Sequence, residues 1–172
     1  MAIPKAVLID TDPGLDDALA LVLALRSSAL DVRAITVVAG NVPLATCTAN
    51  ALRILELLRP DPPPPVFQGC ADPLSPQVAR AVHVHGGDGM GGVSDRYPIG
   101  DRTTEDGHAA DAMVELARRW GDDLTVITLG PLTNVAVGRA RAPPPQGRQR
   151  QRGGMGGGPP RKGKRKTGAG VK

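Results

Sequence analysis

Short apolar runs alternate with longer helix-forming segments along the first 137 residues. The run 6–9 is uninterrupted Ala-Val-Leu-Ile and stops at polar turn residues, which is typical of a strand buried on both faces. Residues 32–38 and 124–129 have the same strand-forming character, because β-branched side chains are frequent in both. We therefore predict four strands, of which the third is the short segment 66–67.

Helices are predicted between these strands. Residues 18–25 are all Ala, Leu or Val and follow two aspartates, which suit the N-terminus of a helix. Pro43 can open a second helix, and 108–120 form an amphipathic helix that begins at His108. Strands that alternate with helices imply an α/β fold with a mainly parallel, Rossmann-like sheet and flanking helices.

The composition changes after Val137. Residues 138–172 hold eleven Lys/Arg and no acid, whereas 1–137 hold ten Lys/Arg and all seventeen Asp/Glu, so the globular part is acidic and the tail sets the net charge of +4. We predict that 1–137 form part of one domain and that the Gly- and Pro-rich tail is disordered from about Arg139. The same composition also results when a GC-rich coding region is read out of frame, and both interpretations of the tail stay open.

Several protein classes are disfavoured by the bulk sequence. Two cysteines, Cys47 and Cys70, and no apolar leader favour a cytoplasmic protein without a disulfide framework, and we expect both thiols to be buried. No apolar run approaches the ~20 residues that span a bilayer, so we expect no membrane association. With one Trp, one Tyr and one Phe, nucleic acid binding is expected only non-specifically, through the basic tail. A homo-oligomer is compatible with the sequence.

Four carboxylates lie within eight residues at the end of the first predicted strand: Asp10, Asp12, Asp16 and Asp17. Like charges held close together raise each other's pKa unless a cation lies among them. Oxygen ligands suit Ca²⁺ or Mg²⁺, whereas Zn²⁺ more often recruits His or Cys. The alternative is that the last two acids only begin a helix and the first two only form a turn. The long segment 69–107 has no sustained period, and we interpret it as a wall of the same site.

The acidic run, residues 10–18, resembles the DxDPGxDDA signature of the inosine–uridine-preferring nucleoside hydrolases. Further segments resemble that family in the same order: Ala-Gly-Asn at 39–41, the His-Gly and Asp-Gly pairs within 85–89, and Thr-Leu-Gly-Pro-Leu-Thr-Asn at 128–134. The similarity covers about residues 5–137.

The resemblance implies a calcium site. Asp12 and Asp17 would ligate Ca²⁺ through their carboxylates, and the backbone carbonyl of Leu129 would add a further ligand. Asp10 would support the turn without touching the ion.

The resemblance also implies a substrate, a ribonucleoside. Asp16 and Asn41 would hydrogen-bond the ribose hydroxyls, and His85 would line the pocket on the base side, the alternative being a loop histidine bonded to backbone. Asp12 would take a proton from a Ca²⁺-activated water that attacks the sugar, and carboxylates would stabilise an oxocarbenium-like transition state. Ribose and a free base would be released, a reaction of nucleoside catabolism and purine salvage.

Members of this family are about twice as long as the resembling segment. Their later half carries a sugar-binding stretch and a His-Asp pair that completes the calcium shell and assists leaving-group protonation. We therefore expect a truncated version of the fold, weakly active or inactive, with an exposed sheet edge that favours aggregation.

Two other functions are considered. Haloacid-dehalogenase-like phosphatases also place D-x-D after a first strand, but Pro13 and Gly14 stand where that motif needs a small hydroxyl residue nearby. The other alternative is a non-catalytic fragment whose basic tail associates with nucleic acid.

Overall fold

Four parallel strands form the centre of the computed structural model, which describes residues 3–74 and 80–142. These residues belong to a unit spanning 1–142, and residues 143–172 lie outside the described part of the chain. The strands and α-helices follow in this order: β1 (Lys5–Thr11), α1 (Leu15–Arg26), β2 (Leu30–Val37), α2 (Leu44–Leu58), β3 (Val66–Gln68), α3 (Val82–His85), α4 (Ala109–Trp120), β4 (Thr125–Thr128) and α5 (Thr133–Arg141).

The strand order is β3-β2-β1-β4, and every pairing is parallel. β1 pairs with β2 on one side and with β4 on the other, so it lies in the middle of the sheet. Its residues from Ala6 onward are all buried, which the uninterrupted apolar run predicted. The α/β architecture with a parallel sheet and flanking helices is confirmed.

Alternate side chains of each strand point to opposite faces of the sheet. Both faces therefore carry apolar side chains, and helices cover both. Val7, Ile9 and Ile35 pack with Leu21 of α1 and Leu55 of α2 in the larger core. On the other face, buried side chains from the two central strands meet α4, with a residue of α5 packed beside them: Leu8, Ala34, Met113 and Val135.

The end of α5 corrects one prediction. We expected disorder from about Arg139, but α5 continues to Arg141, whose guanidinium forms an ion pair of 2.7 Å with Asp111 of α4. Gly138 lies against the backbone of Ala110, which brings the two helices close together. The low apolar content of this segment hid the packing; the rest of the predicted disordered tail lies outside the described residues.

Other boundaries differ in detail. Within the predicted loop 69–107, the described part contains the short helix α3 and a 3₁₀ turn, Ser94–Arg96. Strand β4 is the last strand at one edge of the described sheet, and Val126 on it is 45% exposed. None of the helices found in 3–74 and 80–142 has the length and apolar character needed to cross a bilayer.

Candidate functional site

The predicted site residues lie at the edge of the sheet where the parallel strands end. Asp10 and Asp12 lie at the end of β1 or just after it, Asn41 follows β2, and Leu129 follows β4. The carboxyl ends of parallel strands meet at one edge, where open α/β sheets commonly bind their ligands. Chain positions that are far apart in sequence are therefore neighbours here.

Asp12 is held by the loop after β2. The backbone N–H of Asn41 donates to Asp12 Oδ2 at 2.7 Å, and the Asn41 side-chain amide donates to the Asp12 carbonyl at 3.1 Å. Two glycines let backbone approach the carboxylate: a Cβ on Gly40 would lie 2.8 Å from Asp12 Cγ, and one on Gly130 would lie 2.6 Å from Asp12 Oδ1. The segment containing Leu129 and Gly130 is thus in contact range of Asp12.

Asp17 lies in the first turn of α1 and is 5% exposed. Thr11 donates its hydroxyl proton to Asp17 Oδ1 at 2.5 Å, which ties the helix start to the end of β1. Burial raises the pKa of Asp17, the Thr11 hydrogen bond opposes that rise, and the charge of Asp16 adds to it.

The electrostatics of this pair favour a cation. Burial raises the pKa of Asp12 to about 7, and the negative charge of Asp17 adds to the rise despite the Asn41 hydrogen bond. In residues 3–74 and 80–142 no Lys or Arg forms an ion pair with either carboxylate. A divalent cation between them would supply the missing positive charge and favour both ionised forms.

The protein ligands gathered here are only part of a full shell. Among the described residues, no group of three or more His, Cys, Asp or Glu is arranged to hold a metal ion. Asp12 and Asp17 supply two carboxylates, and Ca²⁺ takes six to eight oxygens, so carbonyls, water or substrate hydroxyls would have to supply the others. The donor set therefore fits a hard cation, although incompletely.

Asp10 is fully buried behind the turn. Its Oδ1 accepts hydrogen bonds from the Thr36 hydroxyl at 2.8 Å and the Asn134 amide at 2.9 Å, while Oδ2 is buried without a hydrogen-bond partner. Burial raises the pKa of Asp10 to about 6, and the two hydrogen bonds oppose that rise. The role of Asp10 as a support of the turn, without contact to the ion, stays a prediction.

Asp16 and His85 face each other at the mouth of the site. The Asp16 side chain is 79% exposed, and its Oδ1 lies 3.8 Å from His85 Nδ1. The same nitrogen accepts a hydrogen bond from the backbone N–H of Leu15 at 3.2 Å, so His85 also caps the start of α1. His85 is thus both bonded to backbone and next to the proposed ribose-binding carboxylate.

The loop that carries His85 is fixed by two polar side chains. Asp88 accepts hydrogen bonds from the backbone N–H groups of Met90, Gly92 and Ser94 at 2.9–3.0 Å. Burial works against ionisation, but these N–H groups outweigh it and lower the pKa of Asp88. The fully buried Asn50 donates to the Asp88 carbonyl at 2.9 Å and to the Pro13 carbonyl at 3.2 Å, which joins the loop to the acidic turn.

In the part of the chain that the structure describes, the cysteine thiols form no hydrogen bond with the four acidic residues. Cys47 is buried as predicted, but Cys70 is only partly buried, because it lies in the loop after β3. Its Sγ is 3.9 Å from His108 Nε2. His108 begins α4 as predicted, and its Nδ1 accepts the Ala110 N–H at 3.1 Å.

Sequence reasoning missed three buried polar residues that organise the site. Thr36 lies on β2, Asn50 lies among the apolar residues of α2, and Asn134 lies at the start of α5. Asn134 belongs to the segment 128–134 that carried part of the resemblance, and Asn50 is a polar residue on an otherwise apolar helix face. Both patterns were visible, but neither reveals its partners without the fold.

Comparison with known proteins identifies a family of similar proteins. The family model "Inosine-uridine preferring nucleoside hydrolase" matches residues 7–166. A curated relative, the pyrimidine-specific ribonucleoside hydrolase RihA of Salmonella enteritidis, is 42% identical over 138 residues, which is 80% of this chain and 42% of that protein.

Solved structures give the same result. The plant nucleoside hydrolase PpNRh1 has a TM-score of 0.71 at 42% identity, over 80% of this chain and 43% of that one. The purine-preferring ribonucleoside hydrolase from Gardnerella vaginalis has a TM-score of 0.73 at 32% identity, over 80% and 44%. The chain spans less than half the length of each of these three proteins.

Proposed function

The chain belongs to the inosine-uridine preferring nucleoside hydrolase family, and on that premise we propose that its site takes part in hydrolysing the N-glycosidic bond of ribonucleosides. The products are ribose and a free base. The observation that carries this proposal is the buried Asp12 carboxylate, held by the Asn41 N–H beside a second buried carboxylate, Asp17. A phosphatase of the haloacid-dehalogenase type has no support in the family match.

Ca²⁺ is the metal we propose, bound by the carboxylates of Asp12 and Asp17 and the Leu129 carbonyl. When bound, the ion supplies a positive charge that makes a water molecule more acidic and orients ribose hydroxyls. Asp12 accepts the proton of the attacking water, a role that its position at the end of β1 and its buried carboxylate support.

The ribose is bound by the exposed Asp16 and by Asn41. Asp16 is free to accept hydrogen bonds from sugar hydroxyls, because its side chain is mostly solvent-exposed at the helix start. The buried carboxylates Asp12 and Asp17 stabilise the positive charge that develops on the sugar as the base leaves. His85 beside Asp16 faces the base in this arrangement.

We propose that this chain alone is weakly active or inactive. The chain covers between 42% and 44% of the length of the three relatives. A general acid for the departing base is not among the roles that we assign to its residues. Loss of a general acid lowers a rate by roughly 10²–10⁴. An incomplete ligand set weakens Ca²⁺ binding further.

Ribose release from inosine and from uridine tests the proposal, because the relatives' names include both pyrimidine-specific and purine-preferring enzymes. We expect a slow release that needs Ca²⁺, stops with a chelator and is lost in Asp12→Ala. The exposed Asp72, far from the acidic turn in sequence, gives the control Asp72→Ala, which should leave the rate unchanged. Release that is unaffected by chelator and by Asp12→Ala would refute the assigned site.

Ca²⁺ binding is measured separately, because a chain that hydrolyses nucleosides slowly still binds the ion. Ca²⁺ should raise the melting temperature of the wild type, since a ligand that binds only the native state stabilises it. No rise at millimolar Ca²⁺ would contradict the proposed metal site even if some hydrolysis were detected.

A further inference from the structure

One buried amide joins the ends of three strands. Asn134 Nδ2 donates to Asp10 Oδ1 on β1 at 2.9 Å and to the Val37 carbonyl on β2 at 3.1 Å. Asn134 Oδ1 accepts the N–H of Cys70, just after β3, at 2.8 Å. Asn134 itself follows β4 by six residues at the start of α5.

The chemistry at this point requires an amide. Asp10 and Val37 present acceptors and Cys70 presents a donor, so the central group needs two N–H donors and one acceptor, which only Asn and Gln side chains offer. Gly69 leaves little room, because a Cβ there would lie 2.5 Å from Asn134 Cγ. The longer Gln side chain does not fit the same place without displacing backbone.

The amide is connected to the proposed ligands through short contacts. The Asp10 carbonyl accepts the N–H of Leu129 at 2.8 Å, so the residue bound by Asn134 also holds the segment that would offer the Leu129 carbonyl. Asp12 follows Asp10 by two residues and lies against Gly130. A shift of α5 would therefore change the separation between the Asp12 carboxylate and the Leu129 backbone.

We propose that Asn134 is a positioning residue for the metal site, and that its amide sets Ca²⁺ affinity by fixing Asp10 and the end of β4 relative to Asp12. This inference rests on the proposed function. Thr36 assists, because its hydroxyl donates to the same oxygen, Asp10 Oδ1. Residues of this kind, one contact behind the ligands, typically change metal affinity by 10–100-fold when replaced.

The test is isothermal titration of the full 172-residue chain with Ca²⁺. Asn134→Leu keeps the size of the side chain and removes its hydrogen bonds, and we expect Kd to rise by about 10–100-fold. Thr133→Val is the matched control: it makes a similar change in polarity at a buried neighbour on the same helix, and Kd should stay within about twofold. Thr36→Val removes the second donor to Asp10 Oδ1, and we expect a smaller loss.

Thr36→Val also decides the case in which Asn134→Leu does not fold. Valine suits a β-strand, so this variant keeps the sheet intact, and an unchanged Kd would overturn the inference. Equal Ca²⁺ affinity in a folded Asn134→Leu and in the wild type would overturn it as well. A wild-type chain that binds no Ca²⁺ would refute the proposed metal site and this inference together. An unchanged Kd in Thr36→Val or in Asn134→Leu would overturn only this inference, because the wild type would still bind Ca²⁺.

Discussion

Gly40→Ala should damage the site because the added methyl group overlaps the Asp12 carboxylate. A Cβ at this position would overlap Asp12 Oδ2 and would lie 2.8 Å from both Asp12 Cγ and Pro131 Cδ. The carboxylate would have to move by more than about half an ångström, which breaks its 2.7 Å hydrogen bond with the Asn41 N–H. Overpacking costs about 1–3 kcal/mol, and the lost charge-assisted hydrogen bond costs about 1.5–3 kcal/mol.

The loss is partly offset, because Gly→Ala restricts the unfolded chain and restores about 0.4–1 kcal/mol. We expect a free energy of unfolding lower by about 2–4 kcal/mol and a Tm lower by roughly 6–15 °C. Differential scanning calorimetry measures both, with and without Ca²⁺. Gly87→Ala is the control: a Cβ there meets nothing within 4 Å, so only the restriction of the unfolded chain acts, and the free energy of unfolding should rise by about 0.4–1 kcal/mol. If Gly40→Ala were as stable as Gly87→Ala and kept its Ca²⁺ response, the described approach of backbone to Asp12 would be wrong.

Four further outcomes are expected. The native pKa of Asp12 is raised to about 7, so the native state binds its proton more readily than the unfolded state does. The stability that this carboxyl contributes is complete below about pH 4 and is lost as the pH rises through 7. Urea unfolding without Ca²⁺ should show that loss in the wild type and a flatter pH profile in Asp12→Asn. Asp17→Ala should abolish the rise in Tm that Ca²⁺ causes, and a rise equal to that of the wild type would exclude Asp17 as a ligand. Leu23 is 73% exposed, and Leu23→Glu should reduce light scattering by aggregates in concentrated solution. Unchanged scattering would show that the exposed Leu23 side chain does not cause the aggregation. Asn50→Ala should speed trypsin cleavage after Arg96, because it releases the loop from Pro13; cleavage at the wild-type rate would show that Asn50 does not hold the loop.

Strand β1 was predictable because burial on both faces leaves a continuous apolar run in the sequence. The apolar run 6–9 is typical of a strand in the middle of a covered sheet, and β1 is found there. The carboxyl ends of parallel strands share an edge, which is why Asp12 after β1 and Asn41 after β2 are neighbours. The parallel strand topology therefore explains this part of the site.

Two parts of the structure could not be predicted from local pattern. Asp88 organises its loop through three backbone N–H groups, yet an aspartate between glycines looks the same in sequence when it is solvated. Arg139 and Arg141 lie in a stretch without large apolar side chains, but close contact between Gly138 and α4 stabilises the helix there. In both cases backbone supplies part of the stabilisation, which no side-chain pattern records; in α5 the ion pair of Arg141 with Asp111 adds to it.

The hydrogen bond between Asn134 and Asp10 has a consequence for the order of folding. It joins residues 124 positions apart, and closing a loop of that length costs an entropy equivalent to about 4 kcal/mol beyond a constant term. β1, α1 and β2 make their mutual contacts over short sequence separations, whereas β4 and α5 must return across the whole domain to reach β1. The hydrogen bond between Asn134 and Asp10 therefore forms only when β4 and α5 pack against β1. A folding experiment started by dilution from urea should accordingly find that Ca²⁺ affinity appears with the slowest phase, after most of the helix signal has formed.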